Sequence, residues 1–107
     1  METLDFTFPA AQPLPRRSHV GIVGSGDLEI LLEPAPDGAA ARVRVRTSVD
    51  GYSAVWQRVL QRFFERSPVC AQLQINDFGA TPGVVALRLE QALEASRGDG
   101  SGAGARP

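Results

Sequence analysis

The period of the hydrophobic pattern changes near Asp50-Gly51, and this change constrains the fold more than any other feature of the sequence. On the N-terminal side, arginines alternate with valine and threonine over residues 42–47, which predicts a strand with its guanidinium groups on one face. On the C-terminal side, apolar residues recur at helical spacing. The members of this second stripe are Val55, Trp56, Val59, Leu60, Phe63 and Phe64.

Four other segments are predicted to be strands. Residues 3–8 and 72–76 alternate between apolar and polar side chains, which is the pattern of a strand with one buried face. Residues 19–23 and 28–32 are short runs rich in aliphatic and β-branched residues. The glycine-serine-glycine stretch between these two runs favours a hairpin turn, so we expect them to form a β-hairpin.

Capping and stop residues delimit two predicted helices. Asp50 or Ser53 is expected to cap the first helix, and Ser67-Pro68 is expected to end it, because the residue before proline resists helical geometry. Thr81-Pro82 is a favourable start for the second helix, with threonine as the cap and proline at the first helical position. Its buried stripe is predicted to consist of Val85, Leu89, Ala92 and Leu93.

The order of these segments predicts an α+β fold, with a mainly antiparallel sheet of about five strands and two helices packed on one face. If the strand from Ala41 pairs with the strand from Gln72, these two strands run parallel through a helical crossover. Residues 9–17 contain three prolines and are expected to form a surface connector. Residues 1–97 are predicted to form one small domain, and residues 98–107 a disordered glycine-rich tail.

The composition argues against several classes of function. The formal net charge is −1 at pH 7, so the charge balance favours neither a nucleic acid nor an anionic membrane as a partner. The sequence has no lysine, which excludes a pyridoxal phosphate Schiff base, a Walker lysine and a kinase lysine. Cys70 is the single cysteine and cannot form an intramolecular disulfide. Since no signal peptide or membrane-spanning run is evident, we expect a cytoplasmic location.

Gly24-Ser25-Gly26 places a hydroxyl between two residues that have no side chain. Such a stretch can turn tightly and lets a second protein approach its backbone. It is either an ordinary hairpin turn or a modification site, and the local pattern leaves both interpretations open. His19, the single histidine, lies six residues before Ser25, too far along the strand for an evident contact. A serine without a base is a poor nucleophile, so another protein would have to activate Ser25.

The remaining candidate sites have plain structural interpretations. Cys70 has no neighbour placed to activate it, which favours a packed thiol over a nucleophile. Asp77-Phe78-Gly79 spells the magnesium-binding tripeptide of protein kinases, but the rest of the kinase signature is missing and the match is coincidental. Glu90 and Glu94 are expected to lie on the solvated face of the last helix.

An arginine ladder is formed by Arg42, Arg44 and Arg46 on one face of the predicted strand. Guanidinium groups present a fork of donors that matches phosphate oxygens, so the ladder suits a phosphate or an acidic partner surface. An ordinary solvated sheet face has the same pattern. The role of the ladder is left open between these two.

Two separated parts of the sequence agree in order and spacing with one known family. The first runs from Val20-Gly21 through Val23-Gly24-Ser25-Gly26-Asp27 to Leu28-Glu29. The second consists of Thr47-Ser48-Val49 and the stretch from Asp77-Phe78-Gly79 to Val84-Val85. Together they resemble the acyl carrier protein (delta subunit) family of malonate decarboxylase, over residue 2 to about residue 95. The citrate lyase acyl carrier chain is a more distant relative of the same kind.

The resemblance implies that Ser25, flanked by Gly24 and Gly26, carries a 2'-(5''-phosphoribosyl)-3'-dephospho-CoA group through a covalent phosphodiester. A dedicated prosthetic-group transferase would attach it, with the Ser25 hydroxyl attacking the phosphate of a triphosphoribosyl precursor and pyrophosphate leaving. The arm ends in a thiol that would carry an acetyl or malonyl thioester between the acyl transferase and decarboxylase subunits of the complex.

The chain itself is then expected to be a non-catalytic carrier, with no metal site. Two alternatives are a citrate lyase-type acyl carrier and a regulatory or assembly domain that is never modified.

Overall fold

The computed structural model describes residues 1–14, 17–20, 28–36, 38 and 40–97. Within these ranges the chain forms six strands and two helices. The strands are β1 (Glu2–Pro9), β2 (Gln12–Pro13), β3 (Ser18–Val20), β4 (Leu28–Pro34), β5 (Ala40–Thr47) and β6 (Val69–Asp77). Helix α1 (Ser53–Arg66) connects β5 to β6, and helix α2 (Pro82–Ser96) follows β6.

The sheet is mixed, and the prediction of a mainly antiparallel sheet is wrong. Its main path has the order β1-β5-β6-β4-β3, and β2 pairs separately with the start of β6. Strand β6 runs parallel to both β5 and β2 but antiparallel to β4. The reason is the connection between β5 and β6, since a helical crossover returns the chain in the same direction whereas a hairpin reverses it.

The conditional pairing of the strands from Ala41 and Gln72 is confirmed. Arg42 lies opposite Gln72, and the parallel register continues to Thr47 opposite Asp77. Strand β1 completes this side of the sheet by pairing antiparallel with β5, from Glu2 opposite Thr47 to Pro9 opposite Ala40. The α+β class and the two helices are thus as predicted. The sheet is mixed because β5 and β6, the pair near its centre, run parallel.

The hydrophobic core lies between the helices and one face of the sheet. Alternate residues of β4, β5 and β6 are buried, including Ile30, Val45 and Ile75, while the residues between them face outward. Helix α1 buries Trp56, Leu60, Phe63 and Phe64, and helix α2 buries the four residues of its predicted stripe. The core accordingly follows the two hydrophobic periods of the sequence.

Three predictions about where the helices begin and end have different outcomes. Helix α2 begins as predicted, with the Thr81 hydroxyl accepting a hydrogen bond from the Val84 amide. Helix α1 ends at Arg66, directly before Ser67-Pro68. Its predicted caps are wrong, because Tyr52 occupies the N-cap and makes no side-chain capping hydrogen bond.

The connector over residues 9–17 is more than a surface segment. It contains β2, and Leu14 within it is buried in the core. Residues 98–107 lie outside the described part of the chain, so the tail and the domain boundary at residue 97 stay predictions. In the ranges described above, neither helix is long and apolar enough to span a membrane.

Candidate functional site

The separated segments that carry the family resemblance converge at one end of the sheet. Asp77 is the last residue of β6 and lies opposite Leu28, the first residue of β4. On its other side Asp77 lies opposite Thr47, the last residue of β5. This end of the sheet, defined by Leu28, Thr47 and Asp77, is called the Asp77 edge. It is where the parallel strands β5 and β6 have their carboxyl ends, a common position for ligand sites in sheets of this kind.

Three hydrogen bonds, from two parts of the chain, fix the Asp77 side chain, which is buried. Its Oδ2 atom accepts a hydrogen bond of 2.7 Å from the Thr47 hydroxyl. Its Oδ1 atom accepts hydrogen bonds of 3.2 Å and 2.9 Å from the amides of Gly79 and Ala80. The Thr47 oxygen in turn accepts a bond from the Val49 amide. Asp77 therefore joins the end of β5 to the turn that leads from β6 into α2.

A cavity of about 320 Å³ opens at the Asp77 edge, between the start of α1 and the start of α2. Its lining is mainly apolar, and the apolar side chains are Val49, Val55, Trp56, Val59, Ala80, Pro82 and Val85. The polar residues that line it include Thr47, Tyr52, Asp77 and Thr81. This size and this mixture of many apolar and few polar groups are typical of a small-molecule site.

The sequence does not predict this cavity, although one signal for it is present. The apolar stripe of α1 is broader than its contact with the core requires, since Val55 and Val59 are half-buried whereas Trp56 and Leu60 are buried. A stripe of that width can leave part of its apolar surface as the wall of a cavity. Asp77, which the sequence associates with a coincidental kinase match, supplies an acidic group at this site.

Gly24, Ser25 and Gly26 belong to residues 21–27, which lie outside the described residues. The strands on either side are described, and they confirm a hairpin pairing. Ser18, His19 and Val20 of β3 lie opposite Leu32, Leu31 and Ile30 of β4. Ser25 stands five residues from Val20 and five from Ile30 along the chain. The segment that contains it therefore links two neighbouring strands and joins β4 at Leu28, on the Asp77 edge.

The other candidate residues lie apart from this edge or have structural roles. The backbone of His19 lies within β3, opposite Leu31. Cys70 is a packed thiol as predicted, because it is buried and its Sγ atom donates to the Gly38 carbonyl at 3.1 Å. Glu90 and Glu94 are exposed on α2. Among the residues described, no three His, Cys, Asp or Glu side chains are grouped closely enough to hold a metal ion.

The arginine ladder lies on the open face of the sheet, and its three side chains are exposed as predicted. Arg44 Nε donates a 2.8 Å hydrogen bond to Asp5 Oδ1 on the neighbouring strand β1. This hydrogen bond, together with the negative charge of Asp5, raises the pKa of the Arg44 guanidinium above its ordinary value. The ladder is thus on the face opposite to the helices and the cavity.

Comparison with known proteins assigns the chain to a family. Residues 15–96 match the family model described as malonate decarboxylase delta subunit (MdcD). The malonate decarboxylase acyl carrier protein of Azotobacter vinelandii is 56% identical over 95 residues, which cover 88% of this chain and 95% of that protein. The corresponding protein of Pseudomonas aeruginosa is 57% identical, with the same coverage.

A solved structure has the same fold. One chain in the crystal structure of a Pseudomonas malonate decarboxylase hetero-tetramer, in complex with malonate, superposes with a TM-score of 0.82 at 52% sequence identity. The match covers 90% of this chain and 99% of the crystallised one. The chain belongs to the family of malonate decarboxylase acyl carrier proteins.

Proposed function

We propose that this chain is the acyl carrier subunit of a malonate decarboxylase and that Ser25 is its attachment site. The group attached there is 2'-(5''-phosphoribosyl)-3'-dephospho-CoA, held through a phosphodiester to the Ser25 oxygen. When bound, this group supplies a terminal thiol on which acetyl and malonyl are carried as thioesters. The chain performs no chemical step itself, and its tether keeps the cargo at a high effective concentration near successive active sites.

One observation carries this proposal. The paired strands β3 and β4 anchor both sides of the segment that contains Ser25, at the end of the sheet where the other family segments meet. A serine between two glycines, in a segment whose two flanking strands pair with each other, suits the approach of a modifying enzyme. The family assignment supports the same position, since the Gly24-Ser25-Gly26 stretch lies inside the matched residues 15–96.

The hydrogen bonds of the Asp77 edge support a carrier over an enzyme. Both carboxylate oxygens of Asp77 already accept hydrogen bonds from Thr47, Gly79 and Ala80. A general base needs a free acceptor within reach of the proton that it removes. Asp77 is instead committed to holding the turn between β6 and α2, so activation of the Ser25 hydroxyl falls to a transferase.

The proposal has definite partners. They are the acyl transferase and decarboxylase subunits of the complex and the prosthetic-group transferase, in the cytoplasm. The Pseudomonas chain that superposes on this one was crystallised as part of a hetero-tetramer, which supports assembly with other subunits. Neither a nucleic acid nor a membrane is among the proposed partners.

Intact mass spectrometry of the chain purified from its native host tests the proposal. The chain with its natural sequence should carry the added mass of the phosphoribosyl-dephospho-CoA group. The Ser25→Ala variant should lack this mass, because the oxygen that forms the phosphodiester is gone. Ser48→Ala is the matched control, since Ser48 is an exposed serine on another loop and its removal should leave the adduct in place.

Two outcomes would contradict the attachment of the group at Ser25. One is an unmodified mass for the natural sequence purified with its complex, which would favour a regulatory or assembly domain. The other is an adduct that survives Ser25→Ala, which would move the attachment site elsewhere. Co-purification with citrate lyase chains in place of malonate decarboxylase subunits would assign the carrier to the other substrate.

A further inference from the structure

We propose that the cavity at the Asp77 edge shelters the acetyl thioester at the end of the arm and rejects the malonyl thioester. The inference rests on the proposed function, because it needs an arm attached to Ser25. It adds a binding site to a chain that is otherwise a passive tether. The carrier would then protect one of its two cargoes from solvent and expose the other.

The walls of the cavity suit a small apolar group. They are formed by valines, Trp56, Ala80 and Pro82, and the cavity measures about 320 Å³. Transfer of a methyl or methylene group from water into such surroundings is favourable, because it removes apolar surface from water. The acetyl methyl and the methylene groups next to the sulfur match this lining. The thioester sulfur is a weak acceptor, so the carbonyl oxygen is the one strong acceptor that this group brings into the cavity.

Most of the polar groups that line the cavity already have hydrogen-bond partners within the chain. The Thr47 hydroxyl and the amides of Gly79 and Ala80 all donate to Asp77. The Thr81 hydroxyl accepts from the Val84 amide. A ligand that brings several ring nitrogens, such as the adenine of the arm, would lose water without finding equivalent donors, and that costs free energy. This difference favours the acetyl thioester over the adenine as the occupant.

The charge of Asp77 provides the discrimination against malonyl. The malonyl group ends in a carboxylate, and entry would bring this second negative charge close to the buried Asp77 carboxylate. Like charges in surroundings of low dielectric repel strongly, and an anion also loses its hydration on entering an apolar cavity. The acetyl group has no charge and avoids both costs.

The arm can reach the cavity from Ser25. Leu28 lies directly opposite Asp77, so their Cα atoms are about 5 Å apart, as in any antiparallel pair. Three residues lead from Leu28 back to Ser25, and an extended chain of that length spans at most about 11 Å. The attachment point is therefore within about 16 Å of Asp77. The arm contains two ribose units, a diphosphate and a pantetheine chain, so it is long enough to cover this distance.

Trp56 is a built-in reporter for occupancy. It is the single tryptophan of the chain, it lines the cavity, and it is 5% exposed. Its emission can be compared among the unmodified chain, the arm with a free thiol, and the acetyl and malonyl forms. Intact mass establishes each form before the measurement, so a chain that never receives the arm disproves the proposed function and is not confused with an empty cavity. We expect the acetyl form alone to change the emission of Trp56.

Cleavage of the thioester by hydroxylamine measures the protection directly. The acetyl thioester on the carrier should react about tenfold more slowly than acetyl-CoA, a ratio that corresponds to about 1.4 kcal/mol. The malonyl thioester on the carrier should react at the same rate as malonyl-CoA. Each carrier form is compared with its own free thioester, so the intrinsic reactivities of the two acyl groups cancel.

A pair of variants connects the protection to the cavity. Ala80→Leu places a larger side chain in the cavity and should abolish both the slow cleavage and the change in Trp56 emission. Ala86→Leu makes the same substitution at an exposed position of α2 outside the cavity and should preserve both. Thermal unfolding checks that each variant is folded. If Ala80→Leu does not fold, the comparison of the acetyl and malonyl forms of the natural sequence still decides.

Three results would overturn the inference. Equal cleavage of the acetyl carrier and acetyl-CoA would mean that the thioester stays in solvent. Equal protection of acetyl and malonyl would remove the role assigned to Asp77. A change in Trp56 emission that is already complete in the free-thiol form would mean that another part of the arm, such as the adenine, occupies the cavity.

Discussion

Thr47 and Asp77, 30 residues apart in the sequence, are joined by a 2.7 Å hydrogen bond between the Thr47 hydroxyl and Asp77 Oδ2. Both residues are buried. Each is the last residue of its strand, and the two lie opposite each other in the parallel pair of β5 and β6. The bond also links two of the sequence segments that carry the family resemblance. Substitutions can measure how much this bond contributes to stability. The Thr47 oxygen also accepts a bond from the Val49 amide, and Asp77 also accepts bonds from the amides of Gly79 and Ala80.

Thr47→Val should lower the free energy of unfolding by ~1–3 kcal/mol, measured by chemical denaturation. The substitution keeps the shape of the side chain but removes the hydroxyl, so a buried Asp77 oxygen and the Val49 amide both lose their partner. Ser48→Ala, at the exposed neighbouring position, is the control and should change stability little. Equal stability of Thr47→Val and the natural sequence would mean that water replaces the hydroxyl without cost.

Gly79 and Gly83 form a matched pair with opposite expected outcomes. Gly79 has a φ of +113°, whereas Gly83 lies in α2, and a Cβ added at either position meets no neighbour within 4 Å. Gly79→Ala should destabilise the chain by ~1–3 kcal/mol through backbone strain alone. Gly83→Ala should stabilise it by ~0.4–1 kcal/mol, because alanine restricts the unfolded chain more than glycine does. The same sign of change at both positions would contradict this argument.

Trp56→Ala should lower the free energy of unfolding by ~3–5 kcal/mol, because it removes a large buried side chain and leaves space that the core cannot fill completely. Trp56 is 5% exposed, next to the cavity. Gln57→Ala, at the adjacent exposed position of α1, is the control and should have almost no effect on the denaturation midpoint. A small loss for Trp56→Ala would mean that the wall of the cavity closes in to replace the indole.

Arg44→Glu tests whether the arginine ladder contacts a partner. The substitution replaces the Arg44–Asp5 pair with two like charges on an exposed face, so the fold should be retained while the local charge is reversed. If the ladder docks a partner or the phosphoribosyl arm, the rate of transfer to the carrier should fall about tenfold at low ionic strength and recover partly with salt. The measurement is the initial rate of acyl or prosthetic-group transfer.

Arg58→Glu, on the exposed face of α1, is the control for this charge reversal. It makes the same change of net charge at a position away from the ladder. If both variants slow transfer equally, the net charge is responsible and the ladder has no specific role. If neither variant slows transfer, the ladder is an ordinary solvated sheet face.

The elements of the fold were predictable because each depends on local information. The alternation of arginine with valine placed the outward face of β5 correctly, and the wide spacing of Val85, Leu89 and Leu93 placed the buried face of α2. The Thr81 cap depends on residues that are neighbours in sequence, and it was predicted as well. Side-chain period and capping chemistry act over a few residues, so they can be identified in the sequence alone.

The type of sheet and the site depend on contacts between distant residues. The prediction of a mainly antiparallel sheet failed because the packing of α1 decides which strand pairs with β6. The parallel direction of β5 and β6 then follows from the helical crossover between them. Leu14 was missed because a lone leucine in a proline-rich stretch gives no periodic signal, although packing buries it. The same holds for Asp77, whose hydrogen-bond partner Thr47 is specified by strand register and not by sequence spacing.

The sequence by itself determined five of the six described strands, the two helices, their buried faces and, through its resemblance, the family to which the chain belongs. Tertiary structure alone decided that the parallel pairing of β5 and β6 brings Thr47, Asp77 and the start of β4 to one edge. It also decided that α1 and α2 leave a cavity there. The physical reason is that periodicity specifies which face of an element is buried, whereas the register between elements specifies which residues meet.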